Sequence, residues 1–208
     1  MTDVTIIGLP QSNFVWATRI ALAEKGVAHE VIGVPPQSPE AIAVHPLGKI
    51  PVLRHGEVAI AESRAIIDYV DATFEGPPLV PQDHAGRIAN DMWTAIVMTS
   101  VEPLLIRQFL MAHMFPGTPD NQPDPARIAA LEPDVAKMLD MLEAALTEGQ
   151  IGGEAFGRVD AYLVPILFYT RTTPTGADLI GARAQVSAYL DRHLSRESLQ
   201  ATMPSFPA

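Results

Sequence analysis

The chain contains no cysteine. Disulfides, thiolate metal sites and a cysteine nucleophile are therefore excluded. The histidines are scattered, and His29, His45, His55, His84 and His193 show no metal-ligand spacing. Positive charge is also scarce: 14 Lys and Arg face 24 Asp and Glu, a formal net charge of -10. Nucleic acid and anionic membranes would be repelled at long range, whereas a small polar ligand is governed by local lysines and arginines. The most apolar stretch, Ala161 to Tyr169, is far too short to span a bilayer and contains Pro165. Met1-Thr2-Asp3-Val4 lacks the basic start and apolar core of a signal peptide, so the expected location is the cytoplasm. Internal repeats and low-complexity tracts are absent as well.

What is present is the composition of a soluble globular protein, 48% hydrophobic and 18% charged. Its 208 residues suffice for one large domain or two small ones, each with a core. Val4 to Ile7 is a β-branched run ending at Gly8, which predicts a buried strand. Phe14 to Lys25 carries Val15, Ile20, Leu22 and Ala23 among charged residues and stops at Gly26, which predicts a helix. Ala28 to Val34 reads as a second strand, and a short helical turn is expected at Glu40 to Val44 after the break at Pro35-Pro36.

The stretch from His45 to Ser63 is the most informative. Val52-Leu53 and Glu57 to Ile60 read as two short strands joined at Gly56, where a tight hairpin requires positive φ, so the pair should be antiparallel. Pro51 stands at the start of the first strand, where a missing N–H is tolerated, and leaves Ile50 extended ahead of it. Glu62-Ser63 then opens a segment with Ile66, Ile67 and Val70 at helical spacing and an Arg64/Asp68 pair at i,i+4. A helix N-terminus with a hydroxyl and free N–H groups attracts a carboxylate.

His45-Pro46-Leu47-Gly48-Lys49-Ile50-Pro51-Val52-Leu53, followed by Glu62-Ser63, resembles the glutathione-binding signature of the cytosolic glutathione transferases, of the serine-type, bacterial-like kind. Asparagine is usual in that signature where this chain has His45. The resemblance implies an α/β thioredoxin-like N-terminal domain over residues 1–76, a linker at 77–84 and an all-α C-terminal domain over 85–208. The element order agrees: strand-helix-strand predicts a parallel pair by right-handed crossover, and the hairpin adds an antiparallel pair to the same sheet. From about His84 onward only helical spacing is found. Ala85 to Met114 is expected to be helical with a bend or break at Pro103. Asp124-Pro125 starts a helix whose stripe runs from Ile128 to Leu146. Ala161 to Tyr169 has no polar face and predicts a central buried helix; Gly157 takes the hydroxyl position of the family's capping motif, while Asp160 matches it. Ala182 to Leu194 makes a last helix, with Ser195 to Ala208 as a tail.

Roles follow from the resemblance. Glutathione is the implied co-substrate, with no metal. Ile50, before a cis Pro51, would pair its main chain with the ligand as a strand does. Glu62 would meet the γ-glutamyl ammonium, and the Ser63 hydroxyl and N–H its carboxylate, although Ser63 equally suits a helix cap. Lys49 would meet the glycine carboxylate or stand as a solvated surface lysine. The missing cysteine removes the thiol-transferase branches. A thiolate is needed at neutral pH, because a free thiol has a pKa of about 8.5. A hydroxyl donated to the sulfur at a helix N-terminus lowers that value, and Ser12 stands where serine-type members place this hydroxyl. Ser12 could instead only cap the helix; Asn13 and Gln11 are neighbouring donors, and many relatives have proline where this chain has Asn13.

A small hydrophobic electrophile is expected on an apolar wall between the domains, with Phe14, Arg107, Met111, Met114, Phe115 and Phe206 as candidates. The same residue types at helical spacing serve equally as core. The implied activity is conjugation of the glutathione thiolate to such electrophiles, a detoxification chemistry. The alternatives are a non-catalytic binding module of the same fold or a glutathione-dependent peroxidase or isomerase. A homodimer is implied, with Asp68 and Asp71 as interface material.

Overall fold

The structure is a computed structural model and describes residues 3–114 and 122–205. The chain divides into two units, one comprising the described residues up to Gln82 together with those from Ser195 onward, the other Asp83–Leu194.

In the first unit, β1 (Val4–Ile7) is followed by α1 (Asn13–Glu24) and β2 (Glu30–Ile32). After them come α2 (Pro39–Ile42), β3 (Val52–His55), β4 (Val58–Ala61) and α3 (Ser63–Thr73). The sheet order is β2-β1-β3-β4, with β1 parallel to β2 and antiparallel to β3, and β3 antiparallel to β4. This is the mixed sheet that the strand-helix-strand start and the hairpin predict. β2 is shorter than the expected Ala28 to Val34, because only Glu30 to Ile32 finds partners on β1. Ile6, Ile7, Val52 and Leu53 are buried on the two inner strands. Val15, Trp16, Ile20 and Leu22 of α1 are likewise buried, as are Ile66, Ile67 and Val70 of α3, and the two helices pack on each other. Lys25 Nζ lies 2.7 Å from Asp71 Oδ1, and that oxygen also accepts the Leu79 N–H at 2.8 Å.

The last segment is not a featureless tail. α10 (Glu197–Thr202) packs on α1. Arg196 donates to both oxygens of the Glu24 carboxylate, at 2.9 and 2.7 Å, and the buried Trp16 Nε1 donates to Thr202 Oγ1 at 3.0 Å. Residues 195–205 therefore group with the first unit and not with the helices that precede them in the chain.

The second unit is all helical among the described residues. Its first helix, α4 (His84–Ile96), continues through π-helical turns at Val97–Val101 and Pro103–Leu110 into α5 (Met111–Met114). Pro103 does not break the path. A proline lacks the N–H of a regular turn, and the wider turns take up the difference: the Glu102 N–H reaches the Val97 carbonyl, five residues back. The run His84–Met114 is long and apolar enough to cross a membrane by length and composition. It is nonetheless packed against α6 (Pro125–Thr147) and α7 (Arg158–Arg171), and it carries the ion pair Glu102–Arg107. α7 is buried from Arg158 to Leu167, as its missing polar face predicts. Arg158 bonds Asp91 and Thr94 of α4. α8 (Pro174–Gly181), which has no counterpart in the sequence reading, begins at Thr173, whose hydroxyl accepts the Gly176 N–H; α9 (Ala184–Leu194) follows.

Candidate functional site

One row across the sheet organises the site. Ile7 pairs with Val52, and Val52 with Ala61, so the chain leaves β1, enters β3 and leaves β4 at the same end of the sheet. The loop to Ser12, the dipeptide Ile50-Pro51 and the dipeptide Glu62-Ser63 all issue from that end. Gly8 makes the closeness possible: its φ of 147° disfavours any side chain, and a Cβ there would stand 2.9 Å from Ile50 Cβ and 2.7 Å from Val15 Cγ2.

Ser12 is the N-cap of α1, in extended geometry, and is partly exposed. The Val15 N–H donates to its Oγ at 3.5 Å. That contact uses an oxygen lone pair, so the hydroxyl proton remains a donor at the positive end of a 12-residue helix. Asn13 is 6% exposed and engaged within the protein. The Gln11 side-chain amide donates to the Ser205 carbonyl at 2.7 Å. Phe14 is half-buried.

Ile50 and Pro51 lie just ahead of β3, outside the ladder, and the bond between them is cis. Lys49 is exposed. Glu62 is the N-cap of α3 with a left-handed φ of 71°, and its side chain makes no capping bond. Its carboxylate is instead held by the buried His45, whose Nε2 lies 3.1 Å from Oε1. Ser63, the first residue of α3, is buried. The expected residues of the first unit are thus gathered at one sheet end.

Arg107, Met111 and Met114 belong to the second unit. Arg107 Nε donates to the buried Glu102 at 2.9 Å, Met111 is half-buried and Met114 exposed. His113 Nδ1 bonds the Phe109 carbonyl at 2.9 Å, a helix-capping use. Phe115 and Phe206 lie outside the described residues. Among the described residues no group of three or more His, Asp or Glu side chains is placed to hold a metal ion.

Residues 6–78 match the family model described as glutathione S-transferase, N-terminal domain, and residues 125–192 match that of the C-terminal domain. Glutathione S-transferase F10 of Arabidopsis thaliana is 33% identical over 187 residues, 85% of this chain and 86% of that one. The chain belongs to the glutathione S-transferase family. A second glutathione S-transferase, from Silene vulgaris, is 29% identical over 211 residues, 96% of each chain. In structure, the theta class glutathione S-transferase of the citrus canker pathogen Xanthomonas axonopodis pv. citri, solved with glutathione bound, superposes with a TM-score of 0.81 at 26% identity, covering 100% of both chains. The glutathione S-transferase fold, a thioredoxin-like unit and a helical one, and the transferase activity are therefore those of this chain.

Two residues of this transferase's first unit were not singled out in the sequence as parts of the site. Gln37, with a φ of 67°, bonds Leu47 and Gly48 through its side chain and main chain, and His45 reaches Glu62. The signal available was His45 itself, in a position where the signature has asparagine.

Proposed function

We propose that the transferase binds glutathione at the sheet end where Ser12, Ile50-Pro51 and Glu62-Ser63 meet, and conjugates its sulfur to small hydrophobic electrophiles. The observation that carries this reading is the row Ile7–Val52–Ala61, from which all three segments issue. The Ile50 main chain, ahead of the ladder, pairs with the cysteinyl backbone of the tripeptide. Glu62 receives the γ-glutamyl ammonium. Ser63, the first residue of α3, offers its N–H and hydroxyl at a helix N-terminus to the γ-glutamyl carboxylate. Lys49 offers a point charge to the glycine carboxylate.

The Ser12 hydroxyl then donates to the sulfur, with Asn13 as the neighbouring donor that assists it. The donated bond and the positive end of α1 favour the thiolate over the thiol, and the proton released from sulfur passes to solvent. The sulfur lone pair forms the new carbon–sulfur bond. In a substitution the leaving group departs with its bonding electrons; in a conjugate addition the resulting carbanion takes a proton from water. Positioning and charge stabilisation supply the rate. Phe14, Arg107, Met111 and Met114 are the described candidates for contact with the electrophile. The setting we assign is cytoplasmic detoxification by a homodimer; of the acidic pair considered for its interface, Asp71 is committed to Lys25.

The test compares wild type with Ser12→Ala by calorimetric titration of glutathione and by conjugation of chlorodinitrobenzene. Similar affinity with a rate loss of about 100-fold or more is expected, in the range typical of a lost donor at the developing charge. Equal rates would remove Ser12 from the mechanism, and absence of heat on titration would remove the binding site.

A further inference from the structure

His45 has two ring nitrogens with two different tasks. The Leu47 N–H donates to Nδ1 at 3.0 Å; since a backbone N–H can only donate, the ring proton sits on Nε2, facing Glu62 Oε1 at 3.1 Å. The His45 side chain is 5% exposed, whereas the Glu62 side chain is 64% exposed. The main chain that carries the ring is also fixed. The His45 N–H donates to the Ala41 carbonyl and the Gly48 N–H to the His45 carbonyl, both at 2.8 Å. Gln37 braces the same turn, its Nε2 donating to the Leu47 carbonyl and its main-chain N–H to the Gly48 carbonyl, both at 2.7 Å. Gly48, at a φ of 59°, leaves room for it: a Cβ there would meet the Gln37 side chain at 2.8 Å.

We propose that His45 is a positioning residue for glutathione binding, which holds the Glu62 carboxylate by Oε1 and presents Oε2 to the γ-glutamyl ammonium. This rests on the reading of Glu62 as the ammonium site. An exposed glutamate otherwise samples many rotamers and loses that freedom when a ligand arrives; a buried donor removes the loss in advance. Glu62 has a left-handed φ and its side chain makes no capping bond on α3, so its carboxylate is not spent there. Asparagine, usual in the signature, offers an acceptor to the Leu47 N–H as Nδ1 does but is too short to reach Glu62.

Two substitutions separate the tasks. His45→Asn keeps the acceptor for Leu47 and removes the donor to Glu62; His45→Gln keeps an N–H at the reach of Nε2 and removes the acceptor. The readout is the ratio of KM for the deamino analogue of glutathione, which lacks the α-amine, to KM for glutathione itself, measured with kcat in wild type, both His45 variants and Glu62→Gln. In His45→Asn the KM for glutathione should rise about three- to tenfold, with kcat and the KM for the analogue unchanged. In His45→Gln the ratio should stay near wild type even if the thermal midpoint falls. A ratio unchanged in His45→Asn, or lowered equally in both variants, overturns the role of His45 while leaving Glu62 in place, provided Glu62→Gln still loses the preference for glutathione. A Glu62→Gln enzyme that keeps the preference shows instead that the ammonium site is elsewhere, and the inference falls with it.

Discussion

The Tyr189 hydroxyl donates to Oδ1 of Asp160 at 2.7 Å, while Oδ2 of the same carboxylate accepts the Gly157 N–H at 2.7 Å. Half of the family's capping motif is thus kept, and the buried carboxylate gains a partner from α9. Tyr189→Phe removes a hydrogen bond to a charged group and should cost about 1.5–3 kcal/mol in urea unfolding. A loss below a few tenths would mean that Asp160 draws nothing from this bond. The phenol is also pushed well above its ordinary value of 10.0, first by burial, then by the charge of Asp160 and its hydrogen bond. Because the folded value exceeds the unfolded one, the bond stabilises below about pH 10 and the contribution is lost as pH rises through the folded value. In a spectrophotometric titration, wild type and Tyr189→Phe should therefore superimpose through the first tyrosine ionisations.

His29 behaves in the opposite sense. Burial lowers its pKa from 6.5 and nearby Arg19 lowers it further, against a raising contribution from the bond to the Val27 carbonyl. Its folded value lies below the unfolded one, so the neutral ring is favoured by folding. Stability is full above about pH 6.5 and declines as pH falls through the depressed value. The stability of wild type relative to His29→Gln should shrink between about pH 7 and about pH 5 in matched urea melts. A constant difference across that range would contradict the assignment.

Arg196 anchors α10 to the Glu24 carboxylate of α1, which is largely buried. Arg196→Ala leaves that carboxylate with the Ser198 hydroxyl but without its cation, and should cost about 1.5–3 kcal/mol in thermal or urea unfolding. A double-mutant cycle with Glu24→Gln should return most of the cost as coupling; additive effects would show that the pair is not what holds the segment.

The residues that were legible in sequence are those whose signals are local. Val4 to Ile7 carries its own β-branched run, Gly56 its own turn, and Ile128 to Leu146 its own stripe, and each became the element it predicts. α10 was not legible, because what holds it is remote in sequence: it packs on α1, and Thr202 accepts the Trp16 Nε1–H from 186 residues away along the chain. The π turns around Pro103 were not legible, because a proline's missing N–H marks a departure from the regular helix without fixing its kind. At the candidate site, the signature pointed to Ile50, Pro51, Glu62 and Ser63, which issue from one end of the sheet, but not to the contact between His45 and Glu62.

The most direct measurement of the central claim is the ultraviolet thiolate absorbance of glutathione bound to the enzyme, titrated with pH in wild type and Ser12→Ala. The bound thiol should ionise well below the free value of about 8.5 in wild type and return towards it when the hydroxyl is removed. Identical, depressed titrations in both proteins would show that another group stabilises the sulfur, and would contradict the mechanism.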